Sequence, residues 1–303
     1  MQVRGVPEGV LPEVRIGYIG HFGDWHTEWG VAKALEEKAQ VDRYHFPVLD
    51  QKAFTERAYD LVLTTVPHML PLDFWVAQSG YKVAHYFDLI VGWKGREQNY
   101  FPALRHFDLV LGTDCLHPAY RAEGINAHWF LQAYDPEDYY PVGAELERDV
   151  AFIGSPYDSK RQGLMPELRK RYTFERLGQG NTCRGEAHAR VCASSKIMVA
   201  DNAVNDRPGY WSNRVYMHLA CKGFVLHPRV PEMERFFEGG KHLVYYDSRE
   251  DLLDKIDHYL ERDEEREAIA QAGAELVRAE HTWTVRMKRF WQIFESGSSP
   301  TRI

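Results

Sequence analysis

At 303 residues with 44% hydrophobic side chains, the chain is long for one domain and carries apolar material for two cores. A net charge of −7 argues against a general nucleic-acid binder, which needs a basic footprint. Four cysteines without C-x-x-C spacing point away from zinc and from a disulfide framework; no apolar run approaches a membrane span, so a cytoplasmic setting is expected.

Residues 1–12, rich in Gly and Pro, are expected to be a loose arm, and 14–19 is the first predicted strand. It empties into GHFGDWHTEWG, a Gly-containing loop before a helix predicted over 30–38. Loops of this kind hold ligands in open α/β sheets. The loop matches neither G-x-G-x-x-G nor a P-loop, which weakens NAD and ATP readings. It gathers Asp24, His26 and Glu28. An imidazole there accepts a proton near neutral pH, which makes His26 and Asp24 candidates for acceptor binding or proton transfer. The competing reading is helix capping by Asp24 or Thr27, with an incidental histidine.

Strands are predicted at 41–46, 59–65, 82–86, 107–112 and 127–131, with a helix over 72–78. Asp88 follows the strand over 82–86, where a carboxylate can take a proton from an acceptor hydroxyl; a loop hydrogen bond is the alternative. The Pro-, Gly- and acid-rich stretch 136–149 marks a domain boundary. The expected organisation is an N-terminal domain over 1–140, a second domain over 149–285, and a last helix over 286–303 that returns to the first.

In the second half, strands are predicted at 149–153, 173–177, 196–200, 224–227 and 242–246. Gly154 and Ser155 leave the first of these, and Lys160 and Arg161 open a helix. Gly178 and Gly180 end the next strand, leaving room for a nucleotide or making an ordinary turn. Ser212 is the expected N-cap of a helix running to Gly223, with Asn213 and Arg214 at its start. A forked guanidinium in a first turn suits a diphosphate. His227 closes the strand that follows, and Glu232 and Glu234 in the next loop have the chemistry to accept hydrogen bonds from ribose hydroxyls. An amphipathic helix over 252–260 precedes charged, Ala-rich helices interrupted at Gly273.

SNRVYMHLACKGFVLH (212–227), FFEGGKHLVYYDSREDLLDKIDHYL (236–260) and EREAIAQAGAELVRAEHTWTVR (265–286) resemble the C-terminal domain of the CgeB-like glycosyltransferases, relatives of the group 1 enzymes. DVAFIGSPYDSKR (149–161) resembles the first strand and loop of that domain; HYFDLIVGW (85–93) and FDLVLGTDCLHPAY (107–120) resemble the family's N-terminal half. The resemblance implies an α/β fold of the GT-B type: two Rossmann-like domains with parallel sheets facing a central cleft. It implies an acceptor domain followed by a nucleotide-sugar donor domain, a basic donor-site residue at Arg161 and an acidic residue at Asp88. The chain departs from the family pattern at Lys222-Gly223, where many relatives carry Gly-Gly, and at Met217 and His218, where group 1 enzymes often place a Glu.

The expected function is transfer of a sugar from a nucleoside-diphosphate donor, a UDP-sugar, to a hydroxyl of a small molecule, glycan, protein or modified nucleobase. Arg214 and Arg161 would stabilise the leaving diphosphate. The chain has no Asp-x-Asp motif, which fits metal-independent chemistry without a cofactor. The departures motivate an alternative, a non-catalytic nucleotide- or sugar-binding protein on the same fold. An epimerase or Rossmann oxidoreductase is a third reading, weakened by the missing G-x-G-x-x-G.

Overall fold

Short apolar strands alternate with helices along the whole chain, the pattern that places parallel strands between helical layers. The structure, a computed structural model, describes residues 14–24, 26–155, 159–178 and 183–296, without the side chains of 159–162. The chain divides into two units, one of residues 1–130 and 291–303, the other of 131–290. No helix among the described residues is long and apolar enough to cross a membrane.

The first unit contains β1 (Val14–Gly20), α1 (Thr27–Glu36), β2 (Ala39–His45), α2 (Gln51–Thr55), β3 (Leu61–Thr64), α3 (Leu72–Ala77), β4 (Tyr81–Tyr86), α4 (Glu97–Leu104), β5 (Leu109–Gly112), α5 (Ala119–Ala122) and β6 (Ala127–Trp129). Its six strands are parallel, in the order β2-β1-β3-β4-β5-β6. Strands β3 and β5 are buried at every position, which explains why LVLT and LVLG are uninterrupted apolar runs. Trp75, Phe54, Leu104 and Val110 anchor the core. The connections reverse direction between β1 and β3, which makes the exits of those strands the place for a ligand.

The second unit contains β7 (Arg148–Ile153), α6 (Ser159–Arg171), β8 (Phe174–Leu177), α7 (Gly185–Ala193), β9 (Ser195–Val199), α8 (Arg214–Ala220), β10 (Val225–Pro228), β11 (Val244–Tyr246), α9 (Arg249–Leu260) and α10 (Asp263–Glu280). Helix α11 (Trp283–Glu295) begins here and ends among residues grouped with the first unit. The strands are parallel, in the order β11-β10-β9-β7-β8, so the reversal falls between β7 and β9. Phe152, Leu168, Ile197, Leu226 and Ile256 fill the core. Ser248 caps α9 by accepting from the Asp251 N–H (3.1 Å), while Asp251 accepts from the Asp247 N–H (2.9 Å).

The Pro/Gly-rich stretch 136–149 lies inside the second unit. Residues 131–135 already belong there, because Tyr134 bridges to Thr282: the Tyr134 N–H donates to the His281 carbonyl (3.2 Å), and the Trp283 N–H to that of Tyr134 (3.1 Å). Helix α1 starts at Thr27 rather than at residue 30, with His26 at the N-cap and no side-chain cap, so neither Asp24 nor Thr27 caps it. Helix α10 runs unbroken through Gly273. A Cβ there would collide with the His242 carbonyl and stand 2.8 Å from Leu219 Cδ2, so this glycine permits close packing and does not interrupt the helix.

Candidate active site

In the second unit the exits of β7 and β8 meet the start of α8. A Cβ on Gly154 would stand 2.9 Å from an Arg214 guanidinium nitrogen, and one on Gly178 would stand 3.1 Å from the Gly154 nitrogen. Arg214 lies over the Phe152 ring, 5.4 Å from its centroid, and donates through Nη1 to the Asp201 carbonyl (3.0 Å). The missing side chains of Gly154 and Gly178 therefore leave room for a fixed cation beside exposed backbone. Ser155 follows, half-buried.

Helix α8 begins at Arg214, whose N–H donates to Ser212 Oγ (3.3 Å); Asn213 takes the N-cap position in helical geometry and makes no side-chain cap bond, so the expected cap at Ser212 is displaced by one residue. The helix is only seven residues long, and the guanidinium charge rather than a macrodipole carries the electrostatics. It ends with Lys222 at φ 59°, the Gly223 N–H reaching the His218 carbonyl (2.9 Å) and the Lys222 N–H that of Leu219 (2.9 Å).

The exits of β9 and β10 are tied together. Asn202 Oδ1 accepts from the Ser212 N–H (3.2 Å), and its Nδ2 faces His227 Nε2 at 3.4 Å. His227 Nδ1 donates to the Pro228 carbonyl (2.7 Å), and burial lowers its pKa to about 4. His227 is wholly buried and is a neutral brace beneath the site, not a group positioned to touch a donor directly. Tyr246 Oη donates to Asp201 Oδ1 (3.0 Å). Asp201, Asn205, Arg229, Tyr246, Asp247 and Arg249 line a cavity of about 380 Å³ along these exits.

Glu232 and Glu234 are differently engaged from the ribose-binding role expected of them. Glu232 sits at φ 74° and pairs with Arg235 (2.8 Å). Glu234 is exposed and pairs with Arg229, which also binds Asp247 (2.8 Å). Both carboxylates are held by arginines on the same loop, a contact no sequence pattern announced. The Arg161 side chain and Gly180 lie outside the described residues.

In the first unit a histidine-rich group collects where β1 and β3 end. Glu28 is buried on α1 and accepts from Thr65 Oγ1 (2.8 Å) and the His21 N–H (3.3 Å). A Cβ on Gly20 would stand 2.9 Å from Glu28 Cγ, so this glycine admits the carboxylate. His26 is exposed and stacks on His21 (centroids 5.6 Å apart); His45 Nδ1 accepts from the Phe22 N–H (3.0 Å). Burial lowers the pKa of His21, partly opposed by Glu28, and burial with nearby Arg96 and His21 lowers that of His68 to about 4. Asp24 is exposed on the same loop.

Asp88 is not a free carboxylate. Its Oδ2 accepts from Arg96 Nη1 (2.8 Å) and its Oδ1 from the Leu89 N–H (2.8 Å). Arg96 also reaches Tyr86 Oη (3.2 Å), which accepts from Tyr100 Oη (2.8 Å). Arg96, Asp201 and Arg229 complete these clusters and were not singled out from sequence, whereas Glu28 was noted beside Asp24 and His26 without its burial. An acid in the first turn of a helix looks like a dipole partner until the fold buries it.

Residues 139–292 match the family model described as glycosyl transferase-like. No curated protein matches the sequence. Similar solved structures include the sucrose-phosphate synthase of Thermosynechococcus elongatus (13% identity, TM-score 0.65). The Anabaena protein HepE in complex with UDP-glucose is another (11%, 0.69), as is an alpha-glucosyltransferase in complex with UDP and DNA containing an HMU base (8%, 0.71). Each similarity covers 94% of this chain and 100% of the other. At these identities the likeness establishes the architecture, and the two parallel sheets are those of the GT-B fold.

Proposed function

The chain belongs to the glycosyl transferase-like family, and from that premise we propose that it moves a sugar from a UDP-sugar to a hydroxyl acceptor, on the CgeB-like branch of that family. The observation that carries the reading is the Arg214 guanidinium packed against Gly154 at the β7/β9 reversal, an arginine aimed at bare backbone where an α/β sheet holds an anion. The UDP and UDP-glucose complexes of the similar folds support a uridine donor.

In this reading the second unit holds the donor. As the bond from the sugar's anomeric carbon to the diphosphate oxygen breaks, negative charge grows on the diphosphate, and Arg214 stabilises it without a metal. Gly154, Ser155 and Gly178 line the phosphates, and Asn213 adjoins Arg214. The 380 Å³ cavity, with Asp201 and Arg229, takes the nucleoside. The first unit supplies the acceptor side. His26 takes the hydroxyl proton, assisted by the charge of Glu28 through His21, with Asp24 at the rim. Asp88, held by Arg96, positions the acceptor. A reducing, cytoplasmic setting belongs to the same reading.

A thermal-shift screen with UDP, GDP, dTDP, ADP and CMP tests the donor assignment, because a ligand of the native state raises Tm by mass action. UDP is expected to give the largest shift, and Arg214→Ala to weaken its binding by about 1.5–3 kcal/mol, the scale of a lost charged hydrogen bond. Unchanged UDP binding by folded Arg214→Ala protein removes Arg214 from the site. A wild-type protein that shifts with none of these nucleotides favours the non-catalytic alternative.

A further inference from the structure

Away from the strand exits, α7 and α8 bring three ligand-type atoms together. His188 Nε2 lies 2.9 Å from His218 Nδ1, and Cys192 Sγ lies 3.7 Å from the same nitrogen. All three side chains are buried, and the three atoms fall within 4.8 Å of one another. His188 and Cys192 are four residues apart on α7 and so share one of its faces. Cys221, at the C-cap of α8, interacts through its thiol with that of Cys192.

We propose that His188, Cys192 and His218 form a binding site for a zinc-class divalent cation that pins α7 to α8, with Cys221 supplying the fourth ligand after rotation of its side chain. Two imidazoles and two thiolates suit a borderline-soft, tetrahedral ion. Bonds of about 2.0–2.1 Å to nitrogen and about 2.3 Å to sulfur place tetrahedral ligand atoms roughly 3.3–3.6 Å apart. The two distances to His218 Nδ1 differ from that by a few tenths of an ångström, and side-chain rotation brings the remaining pair, within 4.8 Å, to the same range.

The electrostatics agree. Burial lowers the pKa of His188 to about 3 and that of His218 as well, so both rings keep a lone pair for a metal. One dication with two thiolates is neutral overall, which a buried site tolerates. Burial raises the Cys192 pKa, so without metal the thiol stays protonated. Binding exchanges two thiol protons for the cation and releases them to solvent. A cavity of about 410 Å³, lined in part by Cys192 and Cys221, gives ions and protons a route. The sequence pointed away from zinc because no cysteines pair at C-x-x-C. Here the donors are His-x3-Cys on one helix facing His-x2-Cys at the end of another. His218 stands one turn beyond Arg214, so the cation would stiffen the helix that carries the guanidinium. The site stands whether or not the chain transfers sugar.

Zinc content of the full chain, purified without chelators or a histidine tag, is measured first. Zinc is then removed and the protein titrated with cobalt(II). The expected result is stoichiometric zinc, and a cobalt form with thiolate-to-metal charge transfer in the near ultraviolet and strong tetrahedral d–d bands. Cys192→Ser is expected to lower the charge-transfer intensity and to weaken binding at least about ten-fold, the lower scale of even an outer-shell change; Cys183→Ser is expected to leave both unchanged. A folded wild-type protein with neither zinc nor a cobalt–thiolate spectrum overturns the proposal. So does a cobalt spectrum indifferent to Cys192→Ser, or a disulfide between Cys192 and Cys221. The wild-type titration decides even where a variant does not fold.

Discussion

Asp88 and His26 show how much a single partner decides. Asp88 leaves β4 where a proton acceptor would be sought, yet Arg96 and the Leu89 N–H take up its oxygens. His26 is exposed to solvent and stacked on His21 at the β1 exit. The two assignments separate experimentally. His26→Ala is expected to lower kcat by about 10²–10⁴-fold, the range of general-base catalysis, with UDP affinity unchanged. Asp88→Asn is expected to raise the acceptor KM while lowering kcat by less than about ten-fold. Steady-state kinetics that invert this order return the base to Asp88. Sequence alone placed Asp88, His26 and Gly154 after strands and Arg214 at a helix start, because strand exits are legible from apolar runs. It did not find Arg96 behind Asp88 or Arg229 behind Glu234, because a side-chain partner several residues away leaves no periodic trace.

Among elements, the strands were the most legible and the helix limits the least. A run such as LVLT has the length and flanks of a buried parallel strand and little alternative. Helix α7, GEAHARVCA, was not foreseen: it is short and its buried face mixes histidine and cysteine with alanine and valine. Glycine's weak helix propensity predicts a break at Gly273, whereas the fold uses its missing side chain to let α10 approach the His242 carbonyl. That difference has a sign. Alanine gains roughly 1 kcal/mol of helix propensity over glycine. Overpacking against backbone costs about 1–3 kcal/mol. Gly273→Ala is therefore expected to lower the urea midpoint with an unchanged m-value. A raised midpoint would mean that the contact relaxes freely. Lys222 adopts the left-handed conformation that glycine takes without strain, and its Nζ pairs with Glu267.

For the whole molecule, both sheets share one plan, a first strand flanked by the second on one side and the third on the other, and alternating segments alone suggested two such halves. Stability should carry the mark of buried histidine. His227 and His281 are held neutral, with pKa values lowered to about 4 and about 3 mainly by burial. The unfolded chain takes up protons near pH 6.5, and the folded chain does not until far lower pH. Their contribution is thus complete above about pH 6.5 and is lost as pH falls toward 4, at up to about 1.4 kcal/mol per histidine per pH unit. Tm is expected to hold between pH 7 and 8 and to decline from about pH 6, more shallowly in His227→Gln; a flat profile down to pH 5 would refute this. A different consequence follows from Tyr134 lying against His281 and Trp283. The second unit starts and finishes at one clasp, so its chain is a nearly closed ring. A ring of this kind is portable: it can be lifted into another host, or reopened at an exposed turn, because any host need offer only two neighbouring points of attachment.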